Sequence, residues 1–318
     1  MKILNLVLAL ALLAAACAAP AQDWPAKPIR WIVPFAPGGA TDLTARMVGQ
    51  KLTERLKRPV LIENRPGAAS NIGMEAAAKS PPDGYTIVFV IPNVVTGPLF
   101  YKLNYDPMKE LAPVTLMTRA YSVLLVTPSL PAKTLADILT LAKEKPGTLT
   151  CGSGGGMSQI SCGFLRLLGK ADITYVPYKG MGPAMTDLVS GQISMTFDVT
   201  SSALPHIKAN RARPIAITHV RRIVSGPYAS LPTMSETLPG FDVVSWQGVM
   251  APTGTPRDII LKLNREIGAA LAEPDVRQRL VDAGLEIDHG SPEAFGELLR
   301  ADYAKYARII RETGLKAQ

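Results

Sequence analysis

What most constrains this chain is a repeated order in which a short β-branched run, a turn and an amphipathic segment follow one another. Ile29 to Val33 reads as a strand, and Thr41 to Leu56 as a helix with Leu43, Met47 and Leu52 among its apolar positions. Val60 to Ile62 is a second strand, Asn71 to Ala78 a helix, and Thr86 to Val90 a third strand. Pro81-Pro82-Asp83-Gly84 supplies turn chemistry before that third strand. Strands and helices in this order predict a parallel sheet covered on both faces, and so an α/β fold.

A second cycle opens at Ser122. Strands are expected at Val123 to Val126, Leu149 to Cys151, Ile173 to Val176, Ile193 to Phe197 and Ile215 to Thr218. Helices are expected at Leu135 to Lys143, Ser158 to Leu168 and Gly182 to Val189. After an extended stretch from Val243 to Met250 the chain reads as helical: Pro256 to Ala272, Pro274 to Ala283 and Glu293 to Thr313. Two successive α/β units predict two lobes, with crossings near Pro113 to Thr118 and near Val243 to Met250. Residues 22–118 with 245–318 would form the first lobe and 119–244 the second.

The first residues stand apart. Lys2 precedes an unbroken apolar run from Leu6 to Ala16, and Ala19-Pro20-Ala21 offers an A-x-A cleavage signal. That run is too short to span a bilayer, which needs about 20 apolar residues. Residues 1–21 therefore read as a secretory signal peptide, which predicts a periplasmic protein. Cys17 raises the rival of a lipid anchor, but a lipobox normally carries Leu three places before its cysteine, where this chain has Ala14.

Hydrophobic residues make up 47% of the chain and charged residues 19%, which excludes a disordered tail or a collagen-like fibre. The net charge of +8 attracts anions in general. Its densest basic spots, Arg211/Arg213 and Arg221/Arg222, are short and lack interleaved aromatics, so with an export signal in front nucleic acid is not a partner. Cys151 and Cys162 are either a disulfide of an oxidising compartment or two buried small residues, a choice that geometry makes. Histidines at 206, 219 and 289 form no ligand cluster, and no metal site is predicted.

Two strand-to-helix turns are candidates for binding. Pro34-Phe35-Ala36-Pro37-Gly38-Gly39-Ala40-Thr41-Asp42 follows the first strand; its glycines allow a sharp turn, and Thr41 or Asp42 can cap the helix while free N–H groups face an anion. Cys151-Gly152-Ser153-Gly154-Gly155-Gly156-Met157-Ser158 occupies the equivalent place in the second unit, with hydroxyls at Ser153 and Ser158. It is no dinucleotide fingerprint, because Met157 stands at the third glycine, and no Walker loop. It is no nucleophile elbow either, since Ser153 has Cys151 two residues before it and Ser158 has Ile160 two residues after it. Two such cradles on facing lobes suggest a clamp for a small acid.

Residues 22–318 resemble the Bug-type extracytoplasmic solute receptors, the binding proteins of tripartite tricarboxylate transporters. The likeness rests on an ordered set: P-F-A-P-G-G-A-T-D from Pro34, E-N-R-P-G-A-A-S-N-I-G from Glu63 and D-G-Y-T from Asp83. It continues with V-P-Y-K-G from Val176, D-L-V-S-G-Q-I-S-M-T-F-D from Asp187, L-P-T at Leu231 and A-P-T-G-T-P from Ala251. The resemblance implies a two-lobed, type II-like periplasmic binding-protein fold that closes on its ligand, as a monomer, with neither catalysis nor a cofactor. It implies a small organic acid as ligand and membrane permease subunits as partners. By this likeness Phe35, Gly38, Gly39 and Asp42 line the first-lobe side of the site, and Ser153, Gly154 and Ser158 the second, with Asp198 and Thr200 at a strand end nearby. Tyr178 and Lys179 stand beside these, Lys179 being equally readable as a solvated loop charge.

The chain departs from the family in two places. The family often carries a histidine where this chain has Ser161 and an aromatic where it has Cys151; were those positions to face the pocket, the ligand would differ from the commoner dicarboxylates. Asp198 would repel a second carboxylate unless paired, or else it braces the strand end. Two other functions stay open from sequence. One is a periplasmic hydrolase using Ser153 or Ser158 with His206 or His219 as base; the other is a sensor that presents its ligand to a kinase ectodomain.

Overall fold

The computed structural model describes residues 24–223 and 227–316, so the expected signal peptide and Cys17 lie outside the described residues. The chain begins with β1 (Ile29–Val33), α1 (Ala40–Leu56), β2 (Val60–Asn64), α2 (Asn71–Ala78), β3 (Thr86–Val90), α3 (Asn93–Phe100), α4 (Pro107–Glu110) and β4 (Leu111–Ala120). It continues with β5 (Ser122–Val126), α5 (Leu135–Glu144), β6 (Leu149–Ser153), α6 (Gly156–Gly169), β7 (Ile173–Pro177), α7 (Met181–Val189), β8 (Met195–Val199), α8 (Thr200–Lys208) and β9 (Arg213–Ile217). It ends with α9 (Met234–Thr237), β10 (Ser245–Pro252), α10 (Arg257–Ala272), α11 (Pro274–Asp282), β11 (Leu285–Ile287) and α12 (Pro292–Thr313).

Two sheets result, one in each lobe. The first has the order β11-β4-β10-β3-β1-β2, the second β7-β6-β8-β5-β9. β1 runs parallel to β2 and β3, and β6 parallel to β7 and β8, each reached through a helical crossover. β3 is buried along its whole length because helices cover both faces of its sheet. Trp31 and Phe89 stack at 6.3 Å between centroids inside that core.

Two expectations need correction. Pro113 to Thr118 is not a crossing but lies inside β4, between β11 and β10 of the first sheet. A proline is tolerated there because its partner in β10 is Met250, next to a register shift between Val249 and Met250. The chain passes between sheets at Tyr121, between β4 and β5. The strand expected at Ile193 to Phe197 starts two residues later, because Gly191-Gln192 still belongs to the turn that closes α7.

α12 joins the two halves. Near its start Phe295 packs edge-on against Trp246 at 5.3 Å, and the Trp246 indole donates to Asp302 at 2.8 Å. Near its end Ile309 and Leu315 pack over Gly163 of α6. No helix among the described residues is long and apolar enough to cross a membrane.

Candidate functional site

Both candidate cradles form, each between a strand end and a helix start, but their side chains serve them differently from the sequence expectation. In the first, Gly39 occupies the N-cap of α1 with no side-chain cap, so neither Thr41 nor Asp42 plays that part. Asp42 is 2% exposed and turns back into the loop. It accepts from the Gly38 N–H at 2.9 Å, Arg46 Nε at 2.9 Å and Asn64 Nδ2 at 2.9 Å. Burial alone would raise its pKa, yet these donors hold the carboxyl at about 2. Asp42 thus shapes the loop, leaving Gly38 and Gly39 exposed and Phe35 half-buried against the first core.

The second cradle closes on itself. Gly155 N–H donates to Ser153 Oγ at 2.9 Å, Ser153 and Ser158 hydroxyls lie 2.7 Å apart, and Ser158 Oγ donates to the Gly155 carbonyl at 2.9 Å. Because the Ser158 proton goes to that carbonyl, the Ser153 proton goes to Ser158, and both hydroxyl protons are spent. Among the described residues, no histidine is a hydrogen-bond partner of either serine. A disulfide joins Cys151 and Cys162, their Cα atoms 6.0 Å apart, and ties β6 to α6 on either side of the glycine loop.

Gly154 is held most tightly. A Cβ there would stand 2.3 Å from the backbone of Gly180 and Met181, and its N–H faces Met181 Sδ at 3.2 Å. Tyr178 donates its hydroxyl to Asp187 at 2.6 Å, and burial followed by that carboxylate pushes its pKa up to about 12. Lys179 is exposed. Asp198 is buried at the end of β8 and accepts from the Val199 N–H at 2.8 Å. Burial raises its pKa, against the opposing effects of Ser202, the Val199 amide and His206. Thr200 opens α8, and its carbonyl accepts from the Tyr228 hydroxyl.

A cavity of about 210 Å³ connects the lobes. Its walls are Ala69, Asn93, Thr96, Gly97, Phe100 and Tyr101 on the first-lobe side, and Gly154, Gly155, Gly156 and Gln159 on the second. Of the residues singled out from sequence, Gly154 lines it; Phe35, Gly38, Gly39, Asp42, Ser153, Ser158, Asp198 and Thr200 do not. Larger hollows lie on other faces, such as one of about 530 Å³ beside Tyr101, Arg300 and Tyr303. The smaller one is the better candidate, because the glycine loop forms part of its wall.

No charged side chain among the described residues lines this cavity, so the attraction these residues offer an anion comes from the main chain. The helix α6 starts at Gly156 after two left-handed glycines, Gly155 at φ 95° and Gly156 at φ 57°. With the Gly154 and Gly155 amides already engaged, Gly156 and Met157 are the first whose N–H groups have no partner within the helix. Across the cavity Ala68, Ala69 and Ser70 stand at φ 47°, 51° and 79°, three successive left-handed residues none of which is glycine. Each costs roughly 1–3 kcal/mol and persists only where neighbours dictate it. Here Asn71 Nδ2 donates to the Ala68 carbonyl at 2.7 Å, Asn93 Nδ2 to the Ala69 carbonyl at 3.3 Å, and Tyr105 buttresses Asn71 at 3.1 Å. α3 adds less, because its first amides bond to Ile91 and Pro92 carbonyls. No trio of metal-ligating His, Cys, Asp or Glu side chains comes together among the described residues.

Residues 44–315 match the family model described as tripartite tricarboxylate transporter family receptor. A relative, Protein BugT of Bordetella pertussis, is 33% identical over 302 residues, covering 93% of this chain and 92% of its own. Two solved structures from Rhodopseudomonas palustris are similar throughout. Rpa4515 with adipate has a TM-score of 0.76 at 33% identity, covering 92% of this chain and 99% of that one. MatC with bound malate has a TM-score of 0.71 at 32% identity, covering 90% and 100%.

Proposed function

Because the chain belongs to the tripartite tricarboxylate transporter receptor family, of the Bug type, we propose that it is a periplasmic receptor that captures a small carboxylate between its lobes. The observation that carries this reading is the cavity itself. It is walled by a strained turn on one lobe and a helix N-terminus on the other, and no charged side chain among the described residues lines it. Such a site binds an anion through main-chain dipoles, each contact worth about 0.3–1 kcal/mol exposed and more when partly buried. Adipate and malate in two similar proteins are acids of the class such a site would take.

In this reading residues 1–21 direct export, the mature chain is a monomer, and the lobe of residues 22–120 with 245–318 closes against that of 122–244. The closed, loaded form is then the one handed to permease subunits. A thermal-shift screen of the mature protein against small mono-, di- and tricarboxylates tests this. An acid at about 100 times its Kd adds roughly 2.7 kcal/mol, which is a shift of at least ~2 °C at this size. A flat response to every acid would overturn the proposal.

A further inference from the structure

We propose that a basic groove on the second lobe is a docking site for an extended, acidic segment of a partner protein. The groove encloses about 450 Å³ between the end of β7, with the loop that follows it, and the C-terminal end of α12 with the residues after it. Arg166 of α6, Lys179 and Lys316 bring three positive charges to its walls, and no Asp or Glu among the described residues lines it. None of the three is ion-paired among the described residues. Basic side chains elsewhere are engaged, as Lys51 is with Asp275, Arg55 with Glu266 and Arg222 with Glu236. The adjoining hollow shares Arg166 and adds Lys170 beside Asp172 and Glu312, of which Glu312 is already paired with Arg308. Tyr175, Tyr178 and Leu315 form the apolar surface between the cations, and the Tyr178 ring is fixed by its hydroxyl on Asp187.

Charge decides the occupant. Exposed cations hold a lone small anion weakly, because water and salt screen each pair. A segment carrying several carboxylates engages all three cations at once, the later contacts forming at high effective concentration. A bilayer surface would meet the exposed Lys179 and Lys316 but could not enter the groove to reach half-buried Arg166 or the rings. Arginine and tyrosine are also the side chains that carry most binding energy where proteins meet. Both walls of the groove touch the lining of the cavity between the lobes. Gly154 packs on the Gly180–Met181 backbone, next to Lys179, and Gln159 Nε2 donates to the Lys316 carbonyl at 2.8 Å. A partner seated here lies one contact away from the cavity wall.

Fluorescence anisotropy of the mature chain with a labelled peptide of about ten residues, rich in Asp and Glu, tests this. The expected result is binding that weakens between about 50 and 300 mM salt. Lys179→Glu with Lys316→Glu, both exposed positions, should weaken the peptide about tenfold and leave the melting temperature unchanged, and Arg166→Gln should act in the same direction. Lys208→Glu with Arg211→Glu makes the same change in net charge beside β9, at the opposite edge of the second sheet from β7, and should leave the affinity within about twofold. Equal weakening by the two pairs would mean attraction to the net charge alone and overturns the proposal. So does a peptide that does not bind. Capture by phosphatidylglycerol vesicles that is lost in the Lys179/Lys316 variant, with the peptide unbound, overturns it in favour of a membrane surface. None of these outcomes bears on the carboxylate reading, which the thermal-shift screen decides by itself.

Discussion

Asp42 holds the shape of its loop through three hydrogen bonds, and its stabilising part is open to measurement. Asp42→Asn keeps the volume but loses charge-assisted bonds to Arg46 and the Gly38 amide, which are worth roughly 1.5–3 kcal/mol each in comparable settings. Chemical denaturation should show a loss in that range. Because its folded pKa is lowered from 3.8 to about 2, its contribution is complete above pH 3.8 and disappears as pH falls through about 2. Acid unfolding of Asp42→Asn should lack that component. Gly154 yields a second prediction: its Cβ would press on the Gly180–Met181 backbone, so Gly154→Ala should cost about 1–3 kcal/mol and weaken acid binding. Unchanged melting and affinity would refute it. The sequence made both loops visible through their glycines and strand-to-helix placement. It could not show where Asp42 points, nor that Ala68 and Ala69 adopt left-handed backbone, because alanine carries no signal for it.

At the level of elements, the strands and amphipathic helices were legible wherever one periodicity ruled. β1, α2 and β3 sit where the pattern places them. α3 was hidden because Asn93–Phe100 follows Pro92, contains Pro98 and is rich in β-branched residues, all of which argue locally against a helix. Tertiary packing overrides that preference, and with it went Asn93, Thr96, Gly97, Phe100 and Tyr101 of the cavity wall. Gln159, on a helix that was foreseen, has no signature of its own. The Cys151–Cys162 bridge, left open by sequence, lies between β6 and α6 and encloses the glycine loop. Closing a loop of eleven residues stabilises by roughly 2–3 kcal/mol in the chain-entropy account. Replacing both cysteines by alanine should lower stability by that order and loosen the amides from Gly154 to Ser158, which hydrogen exchange would register as lost protection. Unaltered protection there would show that the serine ring alone holds the cradle.

Across the whole molecule, the passage between sheets concentrates charges and rings that no local pattern announces. Tyr121, the residue between β4 and β5, stacks on His219 at 4.5 Å and donates its hydroxyl to Glu286 of β11. Arg119 pairs with Asp288 beside it. His219 follows β9 of the second sheet, so this stack joins both lobes at the crossing. Its Nδ1 is buried without a partner. Burial lowers the His219 pKa, opposed by Glu286 and Asp242 and reinforced by Arg119 and Arg221. The unfolded chain therefore takes up this proton near pH 6.5 while the folded one does not, and stability is lost as pH falls through 6.5 toward the lower folded value. Other groups titrate over the same range, so the measurement is a difference. Denaturation of the wild type and His219→Gln at pH 7.5 and 5.5 should show the larger loss in the wild type. Parallel losses would mean that His219 accepts its proton as readily when folded, and that the stack joining the lobes does not depend on its charge.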